Sequence, residues 1–517
     1  MTVGRAGRDS LLSGGSALAG LAAGFGTVVL VAHTRGAETA GVMFGAIGLF
    51  TILSTVCKLG TETTFVYYAG HQRGSTGVER HALVGLLRRG LVPVVAASIA
   101  VAVLVAALAD PMAQVLIDDA NRDSYRTFLL VLAPFVPIWA LTLPLLGITR
   151  GLGDLVPTAV GLQIVQPLLQ LALVSAALAT GLGAEALAAA WALPLVATLL
   201  VAVHRVATAV RDAPVDPTVA AAAPPAREFW GHATPRGLAG TLSMAVDRLG
   251  VVLVGSLGSA AMAGAWTAIT RLLGICLRVV HAMSQALNAR LPALLGAGRT
   301  AAALGQARLA TWWTIALLTP VLIVAAIFPG AALGLFEMDD MPGASGALQV
   351  AVGAAAVIVV LAHTDNVLLM SGRSGLVLLD GIPSLLALIG LTALLLPDHG
   401  LVGAAVAWVV SATIYRVLAL VQVRCLHGRW ILTPQIVRDA ISLAVVCLGI
   451  AAGVRVLVGD GLIAACAAGT IVLPAAGAAM LVVSRRNRGP ADQVGGAATE
   501  SAPAPLRRFR VVEPARV

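Results

Sequence analysis

The sequence predicts an all-α, polytopic membrane protein of about fourteen transmembrane helices, and three observations carry that expectation. Of the 517 residues, 58% are hydrophobic and only 11% are charged, with a mean hydropathy of +0.92; so few charges cannot cover a water-soluble surface. The apolar residues fall in unbroken runs of roughly twenty, the length that carries a helix across a hydrocarbon core. Aromatic residues make up 4%, too few for the girdles of a β-barrel, whose strands would also alternate in polarity. The 55 glycines suit helices that approach closely in lipid.

Taken in order, the spans lie near 11–34, 41–60, 88–109, 126–148, 156–180, 184–203, 237–257, 262–285, 309–330, 346–370, 375–396, 400–423, 439–458 and 461–484. The first follows Arg5 and Arg8 but is too long for the apolar core of a cleaved signal. All 34 basic residues except Lys58 are arginine, and 25 of the 34 fall at the termini or in the even-numbered connections. Only Arg35, Arg122, Arg126 and Arg455 fall on the other side. The positive-inside rule therefore places both termini in the cytoplasm, as expected for a bacterial inner membrane protein. The pI of about 10.1 reflects these loops and implies no nucleic acid. The five cysteines lie in or beside apolar runs without metal-ligand spacing and read as small buried hydrophobes.

The chain divides into spans 1–6 (1–206), an Ala/Pro-rich cytoplasmic linker (207–236), spans 7–12 (237–424), spans 13–14 (425–484) and a polar, basic tail (485–517) read as disordered. Gly36 to Val42, entering span 2, is similar to Ser259 to Ala265, entering span 8; Ala184 to Trp191, entering span 6, is similar to Leu401 to Trp408, entering span 12. Such a repeat of six spans keeps its orientation, so two lobes would be related about the membrane normal with a cavity between them.

Two stretches carry a family resemblance. Ala32 to Gly41, followed by Cys57 to Thr63, resembles the family signature "AR-hydrophobic-LG-x-x-x-(Y/F)-G … LG-x-(D/E)", with His33, Arg35 and Val42 departing from it. Gly400 to Ala407 is similar to "YG-x-x-GAA-(I/V)-A", and Ile148 to Gly153 to an "RGLGR" turn that here ends in Asp154. On these motifs the chain resembles the polysaccharide transporter (Wzx-like oligosaccharide flippase) branch of the multidrug/oligosaccharidyl-lipid/polysaccharide exporter (MOP) superfamily. The resemblance implies a V-shaped pair of helical bundles. It also implies movement of a polyprenyl-(pyro)phosphate-linked oligosaccharide across the inner membrane by alternating access. Partners would be the lipid-linked glycan itself and a polysaccharide polymerase or glycosyltransferases, with a monomer as the working unit. A lipid II flippase and a cation-coupled multidrug exporter of the same superfamily are the alternatives. A membrane glycosyltransferase is disfavoured because the longest outer stretch is only about 17 residues (110–126). No GxxxxGK(S/T) motif occurs, no cofactor or metal is expected, and coupling to a proton, sodium or the membrane potential stays open.

Ionised side chains in mid-bilayer cost roughly 2.5–3.5 kcal/mol and need a partner or a wet cavity. Arg271, Arg278 and Gln285 in span 8 are seven apart and share a helix face, with His281 beside it. Thr51, Ser54, Thr55, Lys58 and Glu62 have similar spacing from span 2, and at the repeat offset Thr55, Lys58 and Glu62 correspond to Arg278, His281 and Gln285. Two basic stripes facing one cavity would suit a phosphate-bearing headgroup; the structural alternative is that Lys58 and Glu62 simply pair with each other. Arg248 and Asp247 are adjacent in span 7 and point about 100° apart, so Arg248 could face the cavity while Asp247 pairs elsewhere. Asp365 and Asp380 are expected either to pair with Arg373 or Arg416 or to serve ion coupling. Pro134, Pro137 and Pro144 should kink span 4, and Pro320 span 9.

Overall fold

The protein is represented by a computed structural model that describes residues 3–75, 79–214, 224–288, 291, 294, 299–371 and 374–486. Every regular element among them is helical. The chain opens with α1 (Val3–Cys57), then α2 (Thr61–Ser75), α3 (Arg80–Ala107), the short α4 (Ala109–Leu116), α5 (Arg122–Leu132) and α6 (Phe135–Gly151). A π-helical stretch over Pro157–Val165 runs into α7 (Gln166–Ala179), followed by α8 (Ala184–Asp212), α9 (Ala226–Leu257) and α10 (Ala260–Asn288). The remainder comprises α11 (Thr300–Ile327), α12 (Pro329–Gly334), α13 (Ala344–Val360), α14 (Thr364–Met370), α15 (Ser374–His427), α16 (Pro434–Val458) and α17 (Leu462–Arg486).

Two glycines divide the two longest helical elements. α1 breaks at Gly36 (φ 79°) and α15 at Gly400 (φ 54°), backbone states that glycine enters without a Cβ penalty. Each helix therefore supplies two spans. Among the described residues, nine helices are long and apolar enough to cross a membrane, and α5 with α6, bent by 49°, makes a tenth. Counting α1 and α15 twice and adding α9 and α17 reproduces the expected fourteen. The bend in span 4 falls at Ala133-Pro134, whereas α11 continues through Pro320.

Hydrogen bonds and one ion pair join even-numbered connections to even-numbered ones and odd to odd, as two opposite ends require. At one, Arg80 Nε donates to Val210 O (3.0 Å), Arg205 meets Asp154 (3.6 Å) and Arg308 Nη2 donates to Trp430 O (2.7 Å). At the other, Arg35 Nη2 donates to Leu182 O (2.8 Å), Ala260 N to Asp118 Oδ2 (2.8 Å) and Arg455 Nη1 to Ile327 O (3.1 Å). These are the arginine-rich and arginine-poor sides read from the sequence. Edge-on aromatic pairs join spans 2 and 6 (Phe50 and Trp191, 5.8 Å) and spans 8 and 12 (Trp266 and Trp408, 6.0 Å).

The connection between α8 and α9 is narrower than the linker expected over 207–236. α8 continues to Asp212, and residues 226–236 form the first three turns of α9. Those turns are held because Phe229 and Ala233 are fully buried against Phe65, Leu83, Leu86 and Leu146. Residues 215–223 and the tail 487–517 lie outside the described residues.

Candidate functional site

α9 and α10 bring three arginines together. Arg248 sits on α9, and Arg271 and Arg278 lie two turns apart on α10. The charges of Arg248 and Arg278 both act on Arg271, whose guanidinium carbon stands 5.8 Å from the centroid of the Phe44 ring. Phe44 belongs to span 2. One turn further, a Cβ on Gly48 would come 3.7 Å from the Arg248 carbonyl oxygen. The cluster thus lies where span 2, α9 and α10 meet, with Arg271 half-buried and Arg278 exposed. No described carboxylate comes within ion-pair distance of Arg271 or Arg278. Like charges converging in a low-dielectric zone repel strongly, and an arriving anion relieves that repulsion while the guanidinium forks supply its hydrogen bonds.

His281 is exposed, and its Nδ1–H donates to the Leu277 carbonyl of its own helix at 2.8 Å. The side chains of Asp247 and Gln285 lie outside the described residues.

The second expected stripe does not extend along one helix. α1 ends at Cys57, and Leu59 (φ 50°) and Gly60 (φ 74°) turn the chain before α2 begins. Glu62 is therefore on a different helix from Thr51 and Thr55, and its equivalence to Gln285 in the unbroken α10 fails. Lys58 Nζ donates to Glu62 Oε2 at 2.7 Å, and Arg150 Nη2 donates to Glu62 Oε1 at 2.6 Å. One carboxylate thus joins two cations, and the pairing alternative describes Lys58 in this structure. Arg150, which sequence reasoning placed only in a loop motif, is the third member.

In the second half, Asp365 pairs with Arg416 at 2.8 Å. Arg373, its other expected partner, lies outside the described residues. Asp380 is buried at 3% exposure and accepts from Gln422 Nε2, while its Oδ2 has no hydrogen-bond partner among the described residues. Sequence reasoning missed His363, which is fully buried at the break between α13 and α14. Its Nε2 meets Thr314 Oγ1 at 3.0 Å, and its Nδ1 meets Ser284 Oγ at 3.2 Å and Asn366 Nδ2 at 3.3 Å. A histidine inside the apolar run 346–370 was the available signal. Among the described residues, no group of three or more His, Cys, Asp or Glu could hold a metal ion.

No protein family matches the chain, and no curated protein does. Solved structures do. The lipid II flippase MurJ in an inward closed conformation aligns with a TM-score of 0.67 at 10% identity, covering 90% of this chain and 98% of that one. An inward-facing multidrug resistance MATE family transporter of the MOP superfamily aligns with a TM-score of 0.65 at 16% identity, covering 78% and 93%. A MOP superfamily transporter from Pyrococcus furiosus, described as having a binding pocket of reverse polarity, aligns with a TM-score of 0.57 at 15% identity, covering 81% and 95%. At these identities the likeness shows the fold alone, one that this chain shares with solved transporters and a flippase.

Proposed function

We propose that this protein is a flippase that carries a polyprenyl-(pyro)phosphate-linked oligosaccharide across the bacterial inner membrane for cell-surface polysaccharide synthesis. The observation that carries the reading is the convergence of Arg248, Arg271 and Arg278 where span 2 meets α9 and α10, with no described carboxylate paired to Arg271 or Arg278. The diphosphate head enters between the two lobes and binds these arginines, with His281 beside them. The lipid tail stays in the bilayer, so only the polar head needs the cavity. Rocking of spans 1–6 against spans 7–12 then exposes the head to the other side. Both termini are cytoplasmic in this reading, and the protein works as a monomer beside the enzymes that make and polymerise its glycan.

A lipid II flippase is the second reading. It is supported by the fuller coverage of this chain by the MurJ structure, 90% against 78% for the MATE transporter. A multidrug exporter acting on cations is less well supported, since the cluster is basic. Asp365 is committed to Arg416, which leaves Asp380 as the acidic residue better suited to ion coupling.

The test is reconstitution. Arg271→Ala with Arg278→Ala should abolish transfer of a fluorescent polyprenyl-diphosphate glycan across proteoliposomes while the protein still inserts. Undiminished transfer by the double variant would remove the proposed site, and selective transfer of the lipid II head over other glycans would favour the second reading.

A further inference from the structure

At the arginine-rich end, away from the cluster between the lobes, a groove of about 660 Å³ runs beside the start of α16. Trp430, Thr433, Pro434, Val437, Arg438 and Ile441 line it. Its walls are apolar and lipid-accessible: Ile441 is 59% exposed and Trp430 46%. An apolar face on an outer helix is ordinary in a bilayer; the charges around this one are not. The Arg424 guanidinium stands 5.8 Å from the Trp430 ring centroid. Arg308 donates from Nη2 to the Trp430 carbonyl, and its buried Nε has no partner among the described residues. Arg429 is close enough for its charge to act on Arg308, and Arg438 lies in the groove wall.

None of these four arginines has a described carboxylate within ion-pair distance. Other arginines of the chain do have such partners: Arg205 pairs with Asp154 at this same end, and Arg122 with Asp119, Arg126 with Asp110 and Arg455 with Asp460 at the opposite one. The amino terminus of α16, capped by the Thr433 side chain on Ile436 N at 3.3 Å, adds its positive dipole at the same mouth.

We infer that this groove binds an anionic phospholipid of the leaflet on that side. Its phosphate sits at Arg438 and the start of α16, within the field of Arg424 and Arg429. Its glycerol lies level with Trp430, as amphipathic rings at membrane interfaces favour. One acyl chain follows Val437 and Ile441. A zwitterionic lipid fits the same apolar wall but carries no net charge to balance the arginines, so selection is for headgroup charge. The inference uses none of the residues assigned to transport and stands or falls independently of that reading.

The full-length protein in phosphatidylcholine nanodiscs, doped with spin-labelled phosphatidylglycerol or spin-labelled phosphatidylcholine, provides the test. The immobilised fraction should favour phosphatidylglycerol, and Arg438→Gln should reduce that preference about fivefold, while Arg455→Gln should leave it intact. If Arg438→Gln does not insert, the wild-type protein still decides. Brominated phosphatidylglycerol should quench its fluorescence more than brominated phosphatidylcholine does, and Trp430→Phe should remove the difference. Equal association of the two labelled lipids with the wild-type protein, or a preference unchanged by Arg438→Gln, overturns the site. So does displacement of the label by polyprenyl phosphate but not by unlabelled phosphatidylglycerol.

Discussion

His33 and Glu337, 304 residues apart, meet at 2.5 Å across the arginine-poor end of the molecule. The other ring nitrogen of His33 lies 2.8 Å from the Leu335 carbonyl, so the imidazole engages two points of one loop. Glu337 holds a left-handed backbone (φ 54°), a state that costs a non-glycine residue about 1 kcal/mol or more. The contact ties span 1 to the loop before α13, and Phe25 against Phe336, 5.0 Å apart and edge-on, supports it. A contact so placed is expected to latch that end. Glu337→Gln should shift the population towards states open there by roughly fivefold, from about 1 kcal/mol of lost pairing. Spin-label distances between positions 38 and 340 would report the change; an unaltered distribution would dismiss the latch.

The same end is closed by backbone contact. A Cβ on Gly41 would lie 1.6 Å from the Ala260 carbonyl oxygen, and one on Gly264 would lie 2.1 Å from that of Ala37. No side-chain rotation relieves a clash with backbone. Gly264→Ala should therefore force the two segments apart, cost about 1–3 kcal/mol and lower the unfolding temperature. An unchanged melting curve would mean that the two segments do not meet this closely.

Glu62 stands between Lys58 and Arg150 at 18% exposure. Glu62→Gln leaves two half-buried cations without a counter-charge and should destabilise by about 2–3 kcal/mol. Lys58→Met should cost much less, because Arg150 still satisfies the carboxylate. Thermal unfolding of the two variants distinguishes them. Equal effects would indicate that Lys58 has a role outside this trio.

Asp365 and Asp380 should respond differently to amidation. Asp365→Asn unpairs Arg416 and should destabilise by about 2 kcal/mol. Asp380 has an amide partner and no described cation within ion-pair distance, so Asp380→Asn should be neutral or stabilising by up to about 1 kcal/mol. Chemical denaturation of each variant checks the sign; a large loss at Asp380 would point to a positive partner.

His232, on the first turns of α9, has its pKa lowered by burial and then by the Arg236 charge. A Thr64 hydroxyl faces its Nδ1 at 3.4 Å, and Arg236 donates to Nε2. A folded pKa below the ordinary value means that unfolding takes up a proton. The contribution of neutral His232 to docking these turns on α2 is complete above about pH 6.5 and declines as pH falls towards the depressed value. Hydrogen exchange over 226–237 should accelerate in mild acid, and His232→Gln should flatten the response. Acceleration that persists in the variant would assign the effect to another group.

Fourteen crossings and two chemically distinct ends were legible in the sequence because both follow from residue-by-residue transfer energies. A twenty-residue apolar run must cross whatever its neighbours are, and arginine remains on the side where it is retained. Gly36 and Gly400 were likewise visible as small residues entering spans 2 and 12. Tertiary structure decided which of the readings open to each charge was taken. In sequence Lys58 could pair with Glu62 four residues on or join Arg271 and Arg278 on a cavity wall. A turn at Gly60 delivers Glu62 to Lys58, and the packing of α2 on α6 brings Arg150 to the same carboxylate. Arg271 instead meets an aromatic ring and two further arginines. The worth of a charge in a low dielectric depends on what stands within a few ångströms of it, and that neighbourhood is assembled from segments hundreds of residues apart.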